Sequence, residues 1–149
     1  MKYKKIFIAD GSVDRIILSP EYKTGAFFFK EPLYDFYFFN GKLHRDDGPA
    51  AIDYWNRRSK KYKISAFRYY LNGLKHRDDG PAETRYDEKG NLLLHKYWKY
   101  GKLHCENGPA KIIYGGNIYG IHGRTEYYLN GTSHSKEEYE ERLATKLYW

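Results

Sequence analysis

Four histidines recur at intervals of 32, 28 and 30 residues along this chain of 149, and acidic or amide side chains follow three of them. His44 precedes Asp46 and Asp47, His76 precedes Asp78 and Asp79, His104 precedes Glu106 and Asn107, and His134 stands last. Imidazole beside carboxylate is the pairing that acid–base catalysis and divalent-metal binding both employ. The regular spacing argues against both uses, because an active site is a single constellation and is not repeated. If each interval adds two strands roughly 4.8 Å apart, equivalent rings stand about 10 Å from one another, whereas ligands held ~2 Å from one zinc nearly touch. The remaining role is architectural: each imidazole hydrogen-bonds within its own loop, to the aspartates or the backbone, and holds the bend. His44, His76 and His104, with Gly48, Gly80 and Gly108, are therefore loop-forming residues. No catalytic residue, metal ligand or cofactor is assigned, and the expectation is a protein that is not an enzyme. Phosphate-cradling glycine loops, nucleophile elbows and histidine-pair zinc helices do not occur in the sequence.

A second chemistry is not repeated. From Tyr54 to Arg77 there is no acidic residue, while Arg57, Arg58, Lys60, Lys61, Lys63, Arg68, Lys75 and Arg77 accumulate among Trp55, Tyr62, Phe67, Tyr69 and Tyr70. Cations interleaved with rings suit an acidic protein surface, and they equally suit the phosphates and stacked bases of a nucleic acid or nucleotide. A solvated loop that merely widens the longest interval is the alternative. Trp55, Arg57, Arg58, Lys60, Lys61, Tyr62, Lys63 and Arg68 are the candidate partner-binding residues. A net charge of +7 agrees with an acidic partner without choosing one.

Both chemistries depend on an eleven-residue phrase that positions them. It reads Asn40-Gly-Lys-Leu-His-Arg-Asp-Asp-Gly-Pro-Ala50, recurs as Asn72-Gly-Leu-Lys-His-Arg-Asp-Asp-Gly-Pro-Ala82 and again as Tyr100-Gly-Lys-Leu-His-Cys-Glu-Asn-Gly-Pro-Ala110. A fourth copy begins at Asn130 and dissolves after His134. A period near thirty residues marks a repeat protein. Paired aromatics precede each copy: Tyr37-Phe38, Tyr69-Tyr70, Tyr97-Trp98 and Tyr127-Tyr128. Adjacent strand residues face opposite ways, so each pair sends one ring to either face of a sheet. After each Gly-Pro, alternation such as Ala50-x-Ile52-x-Tyr54 reads as the returning strand. Gly41, Gly73, Gly101 and Gly131 predict positive-φ corners, and Asp47-Gly48, Asp79-Gly80 and Asn107-Gly108 a second bend. Asp87 to Asn91 and Gly115 to Asn117 read as reversals between copies.

The predicted fold is mainly β: an antiparallel meander of about four β-hairpin repeats with a C-terminal capping helix, forming one domain over 1–149. Residues 1–36 form an N-terminal β cap, with a hairpin across Asp10-Gly11-Ser12 and further strands at Ala26 to Lys30 and Asp35 to Phe39; residues 37–134 hold the repeats. Ser135-Lys-Glu-Glu138 fits a capping box, which predicts a helix from Lys136 to Leu147 with Tyr139, Leu143 and Leu147 along one stripe. Seventeen tyrosines against one methionine mean that burial relies on rings with polar tips. The single cysteine, Cys105, excludes an internal disulfide. An apolar start that stops at Asp10 is too short for a signal peptide, so a cytoplasmic protein without a membrane span is expected.

The Asn-Gly-Lys-Leu-His-Arg-x-x-Gly-Pro-Ala phrase, preceded by paired aromatics, resembles a tandem repeat of tailed-bacteriophage and large-virus proteins. More loosely it resembles MORN-type β-hairpin repeats. The resemblance covers residues 35 to 139 and implies a recognition scaffold with no catalytic set. For a phage protein it implies binding and blocking of a host factor, including a defence enzyme, in the host cytoplasm. The chain departs from the pattern at Leu74-Lys75, where the order is reversed, at Cys105 in place of arginine, and in the truncated fourth copy.

Overall fold

The structure, a computed structural model, describes residues 3–7, 13–18, 26–31, 33–55, 63–115 and 122–146. It is mainly β, an antiparallel meander closed by one C-terminal helix. Two strands, β1 (Tyr3–Phe7) and β2 (Val13–Leu18), pair antiparallel as a sheet of their own. The main sheet begins with β3 (Ala26–Glu31) and β4 (Tyr34–Phe39), with the short β5 (Lys42–Leu43) beside β4. It continues through β6 (Ala51–Tyr54), β7 (Ile64–Arg68), β10 (Glu83–Tyr86), β11 (Leu92–Lys96), β14 (Lys111–Ile113), β15 (Arg124–Leu129) and β16 (Thr132–His134), neighbours in space as in sequence. Two small hairpins stand off this path. They are β8 (Tyr70–Leu71) with β9 (Leu74–Lys75), and β12 (Trp98–Lys99) with β13 (Lys102–Leu103).

The phrase makes these hairpins for a local reason. Asn40, Asn72, Tyr100 and Asn130 have φ of 47°, 50°, 47° and 51°, and each following glycine is also left-handed, at 74°, 86°, 78° and 87°. Two consecutive positive φ angles define the two-residue turn whose twist matches antiparallel strands, and Asn-Gly is its preferred sequence. The reversal at Asp87 to Asn91 forms as the sequence predicts. The Asp87 carboxylate accepts the amide hydrogens of Lys89 and Asn91, both at 2.8 Å. The reversal read at Gly115 to Asn117 falls mostly outside the described residues.

The sheet register sorts side chains into two faces. Cross-strand partners run Phe36, Ala51, Arg68, Glu83, Lys96, Lys111, Glu126 along one row. The row beside it runs Asp35, Ile52, Phe67, Thr84, His95, Ile112, Thr125, and by strand alternation it faces the other way. At its N-terminal side the first face is apolar, where Phe36, Phe38, Ala50, Ala51 and Tyr70 form the buried core. Further along it becomes ionic. Arg68, 2% exposed, donates from Nη2 to Asp53, and Glu83, 0% exposed, receives Lys75 and Arg85 at 2.8 Å each. Burial opposes ionisation of Glu83, but Lys75, Arg85 and Lys96 outweigh it and hold the carboxyl at about 2. At Asp53 the balance reverses: burial raises its carboxyl despite Arg68. The reversed Leu74-Lys75 pair now has a cause. Lys75 occupies the place of Leu43 and Leu103, where its ammonium meets Glu83 and lies 4.9 Å from the centre of the Trp98 ring.

The helix α1 (Lys136–Lys146) starts as its sequence predicts. Ser135 N–H donates to Glu138 Oε2 at 2.9 Å and Glu138 N–H to Ser135 Oγ at 3.2 Å, the reciprocal capping box. Tyr139 is buried and Leu143 half-buried, whereas Leu147 lies outside the described residues. No helix among the described residues is long and apolar enough to cross a membrane.

Candidate functional site: clefts between successive loops

The recurrent histidines do more than the sequence predicts. Each Nε2 faces a carboxylate of its own loop: His44 to Asp46 at 3.1 Å, His76 to Asp78 at 3.4 Å, His104 to Glu106 at 3.3 Å. Each Nδ1, however, accepts an amide hydrogen from the turn of the next copy: Asn72 to His44 at 3.1 Å, Tyr100 to His76 at 3.3 Å, Asn130 to His104 at 3.0 Å. An accepting Nδ1 leaves the proton on Nε2, so Nε2–H donates to the carboxylate and the tautomer is set. The adjacent glycine reinforces the joint, since Gly73, Gly101 and Gly131 N–H donate to the carbonyls of Leu43, Lys75 and Leu103, all at 2.8 Å. Sequence alone showed the loop but not this reach across the seam. The Nδ1 partner is a backbone amide some 24 to 28 residues away, and an amide carries no letter in the sequence.

The second bend also has a cause that its letters do not reveal. Arg45 lies over the Tyr37 ring at 4.1 Å from Cζ to the centroid and Arg77 over Tyr69 at 4.2 Å, while their Nε atoms donate to Asp47 at 2.6 Å and Asp79 at 2.7 Å. A Cβ on Gly48 would stand 3.1 Å from Arg45 Cζ, and one on Gly80 3.3 Å from Arg77 Cζ. At these two positions glycine makes room for a guanidinium. Hydrogen bonding to the arginines holds the Asp47 and Asp79 carboxyls below the usual carboxylate range.

Between successive loops the surface is concave. A cleft of about 420 Å³ lies against Tyr37 and Arg45, one of about 470 Å³ between the Arg45–Gly48 and Arg77–Asp79 loops, and one of about 600 Å³ between Arg77–Gly80 and His104–Pro109. The third is the largest of these three, and there Cys105 stands in the place of the arginine. Among the described residues no cation lies over Tyr97, and a Cβ on Gly108 would meet nothing within 4 Å. On the far side of that loop Gly108 N–H donates to the Tyr139 hydroxyl at 2.9 Å, and that hydroxyl donates to the Cys105 carbonyl at 3.0 Å. Tyr139 also packs against Tyr127, with ring centroids 4.9 Å apart. Comparison of the chain with family models, curated proteins and solved structures finds no match.

The basic stretch divides. Arg57, Arg58, Lys60, Lys61 and Tyr62 lie outside the described residues. Lys63 is exposed and donates to the Glu88 carbonyl at 3.2 Å, and Trp55 is half-buried with its indole N–H on the Tyr86 carbonyl at 3.1 Å. Arg68 corrects the sequence reading. Strand alternation turns it inward onto Asp53, and at 2% exposure it is no surface contact. Among the described residues no group of three or more His, Cys, Asp or Glu could hold a metal ion.

Proposed function

We propose that the chain is a non-enzymatic protein-binding module of about four β-hairpin repeats, MORN-like in style, that acts as a phage accessory protein and blocks a host factor in the host cytoplasm. The observation that carries this reading is the row of clefts between loops whose backbone is already held in place. His44, His76 and His104 each spend Nδ1 on the neighbouring turn, and Arg45 and Arg77 are each held by their own ring and aspartate. The loops are thus rigid, and rigid concave surfaces with rings suit recognition of another protein. The basic residues Arg57, Arg58, Lys60, Lys61 and Lys63 add positive charge suited to an acidic partner.

The competing reading, a nucleic-acid or nucleotide binder using the stretch 55–77, loses contacts within that stretch. Arg68, Lys75 and Arg77 are committed to Asp53, Glu83 and Asp79. One experiment separates the two. Wild type and the Arg57→Glu, Arg58→Glu, Lys60→Glu, Lys61→Glu variant are used as bait in bacterial lysate, and nucleic acid is titrated at two salt concentrations. Capture of one protein by wild type alone supports the first reading. Nucleic-acid binding that falls steeply with salt, without protein capture, replaces it with the second.

A further inference from the structure

The third loop keeps the histidine joint of the second but lacks its arginine, and Gly108 has a φ of 146° where Gly80 is not at positive φ. In the second copy a guanidinium stacks on Tyr69, donates to Asp79 and fills the space above Gly80. In the third copy the corresponding ring is Tyr97, the side chain at the aspartate position is Asn107, and the glycine is Gly108, above which a Cβ would find no atom within 4 Å. All three line the same cleft of about 600 Å³, some 130 Å³ more than its arginine-filled neighbour of about 470 Å³. Three carboxylates, Asp78, Asp79 and Glu106, border it against two cations, Arg77 and Lys99.

We infer that this cleft is a receptor for an arginine side chain presented by a partner protein, which takes over Tyr97 the place that Arg45 and Arg77 take in their own loops. The inference rests on the protein-binding reading above and adds the chemistry of one contact. A guanidinium fits better than an ammonium. It is flat, is less strongly hydrated, and can stack on Tyr97 while its edge donates to the Asn107 side-chain oxygen. Of the bordering carboxylates, Asp79 is paired with Arg77 and Glu106 with Lys146, which leaves Asp78 to favour a cation over a neutral group. The helix supports the site from behind: Tyr139 fixes the backbone of Cys105 and Gly108 without lining the cleft.

The test needs no knowledge of the partner, so its failure is separable from failure of the capture experiment. N-acetyl-arginine amide is titrated into the whole ¹⁵N-labelled protein and amide shifts are followed, with N-acetyl-lysine amide and the neutral isostere N-acetyl-citrulline amide as controls. Saturable shifts centred on Tyr97, Asn107 and Gly108, with millimolar affinity for the arginine probe and at least about tenfold weaker binding of citrulline, are the expected result. Asn107→Asp, which restores the acceptor of the first two copies, tightens arginine several-fold and leaves citrulline unchanged; a merely structural position would show no such gain. Cys105→Arg supplies the guanidinium in cis and abolishes the shifts. No shifts in wild type, equal binding of citrulline, or undiminished binding by a folded Cys105→Arg variant would each overturn the assignment.

Discussion

The loops Arg77–Gly80 and Cys105–Gly108 share a phrase, a histidine joint and a glycine, yet the first is closed by its own side chains and the second is not. In the first, arginine, tyrosine and aspartate form a self-contained stack. In the second, a tyrosine from the terminal helix ties the backbone from outside and the ring of Tyr97 borders open space. The sheet beneath differs in parallel. The residue after Gly-Pro-Ala is Glu83 in the second copy, fully buried between Lys75 and Arg85, but Lys111 in the third, partly exposed and paired with Glu126 at 2.8 Å. The histidine joint persists while the side chains above and below it change use.

The largest effect should come from the ionic floor of the second copy. Glu83→Gln leaves the partly exposed Lys75 and Arg85 against a neutral buried partner, a loss of about 3 kcal/mol in denaturant unfolding. The matching change Lys111→Gln should cost no more than about 1 kcal/mol, because Lys111 also sits opposite Lys96 and its removal relieves that repulsion. Equal losses would mean that the two floors are equivalent. The same carboxylate predicts a pH dependence. Its folded value of about 2 lies below the ordinary 4.5, so its stabilisation is present above pH 4.5 and is lost as pH falls from there toward 2. That loss is about 3 kcal/mol, and Glu83→Gln should remove this part of the acid slope.

Next in size are the joints. His76→Ala removes the acceptor of the Tyr100 amide and a ring stacked on Tyr100, with centroids 4.2 Å apart and planes 13° apart, so a loss of about 2–3 kcal/mol is expected. His104→Ala removes the acceptor of the Asn130 amide and the Nε2 contact to Glu106 but no stacked ring, and should cost about 1 kcal/mol less. Thermal unfolding of the two variants side by side measures the difference, and identical shifts would deny the stack any weight.

Tyr139→Phe probes the support unique to the third loop. Loss of the hydroxyl leaves the Gly108 amide and the Cys105 carbonyl without their bridge, a cost of about 1–2 kcal/mol. Hydrogen exchange should quicken at Gly108 and stay unchanged at Gly80. Quickening at both would show that the helix steadies the whole sheet and not one loop.

The meander, the Asn-Gly turns and the capping box were legible in the sequence because each follows from local rules: period-two alternation, positive φ at glycine, and serine three residues before glutamate. The role of Gly48 and Gly80 was not legible, since a glycine that makes room for Arg45 or Arg77 reads the same as one that turns the chain. Arg68 misled for a related reason. Its place in a basic run suggested surface, but strand alternation decides its direction and sends it onto Asp53. The spacing of Tyr139, Leu143 and Leu147 predicts only a packing stripe. The role of the Tyr139 hydroxyl, which holds a loop more than thirty residues back, follows from tertiary placement alone.

The smallest effect lies at the seam between the two loops. Among the described residues Tyr100 is the one non-glycine residue other than asparagine at a left-handed position, at φ 47°, and it is 55% exposed. Asparagine tolerates that conformation better by about 1 kcal/mol, whereas the stack on His76 offsets a similar amount. Tyr100→Asn should therefore change stability by no more than about 0.5 kcal/mol in wild type, the difference of those two terms. With His76→Ala already in place the stack is gone and only the backbone term remains, so the same substitution should stabilise by about 1 kcal/mol. A double-mutant cycle with no coupling would mean that the stacked rings contribute nothing. The unusual tyrosine would then be strain without compensation, and the second copy would owe its firmer joint to burial alone.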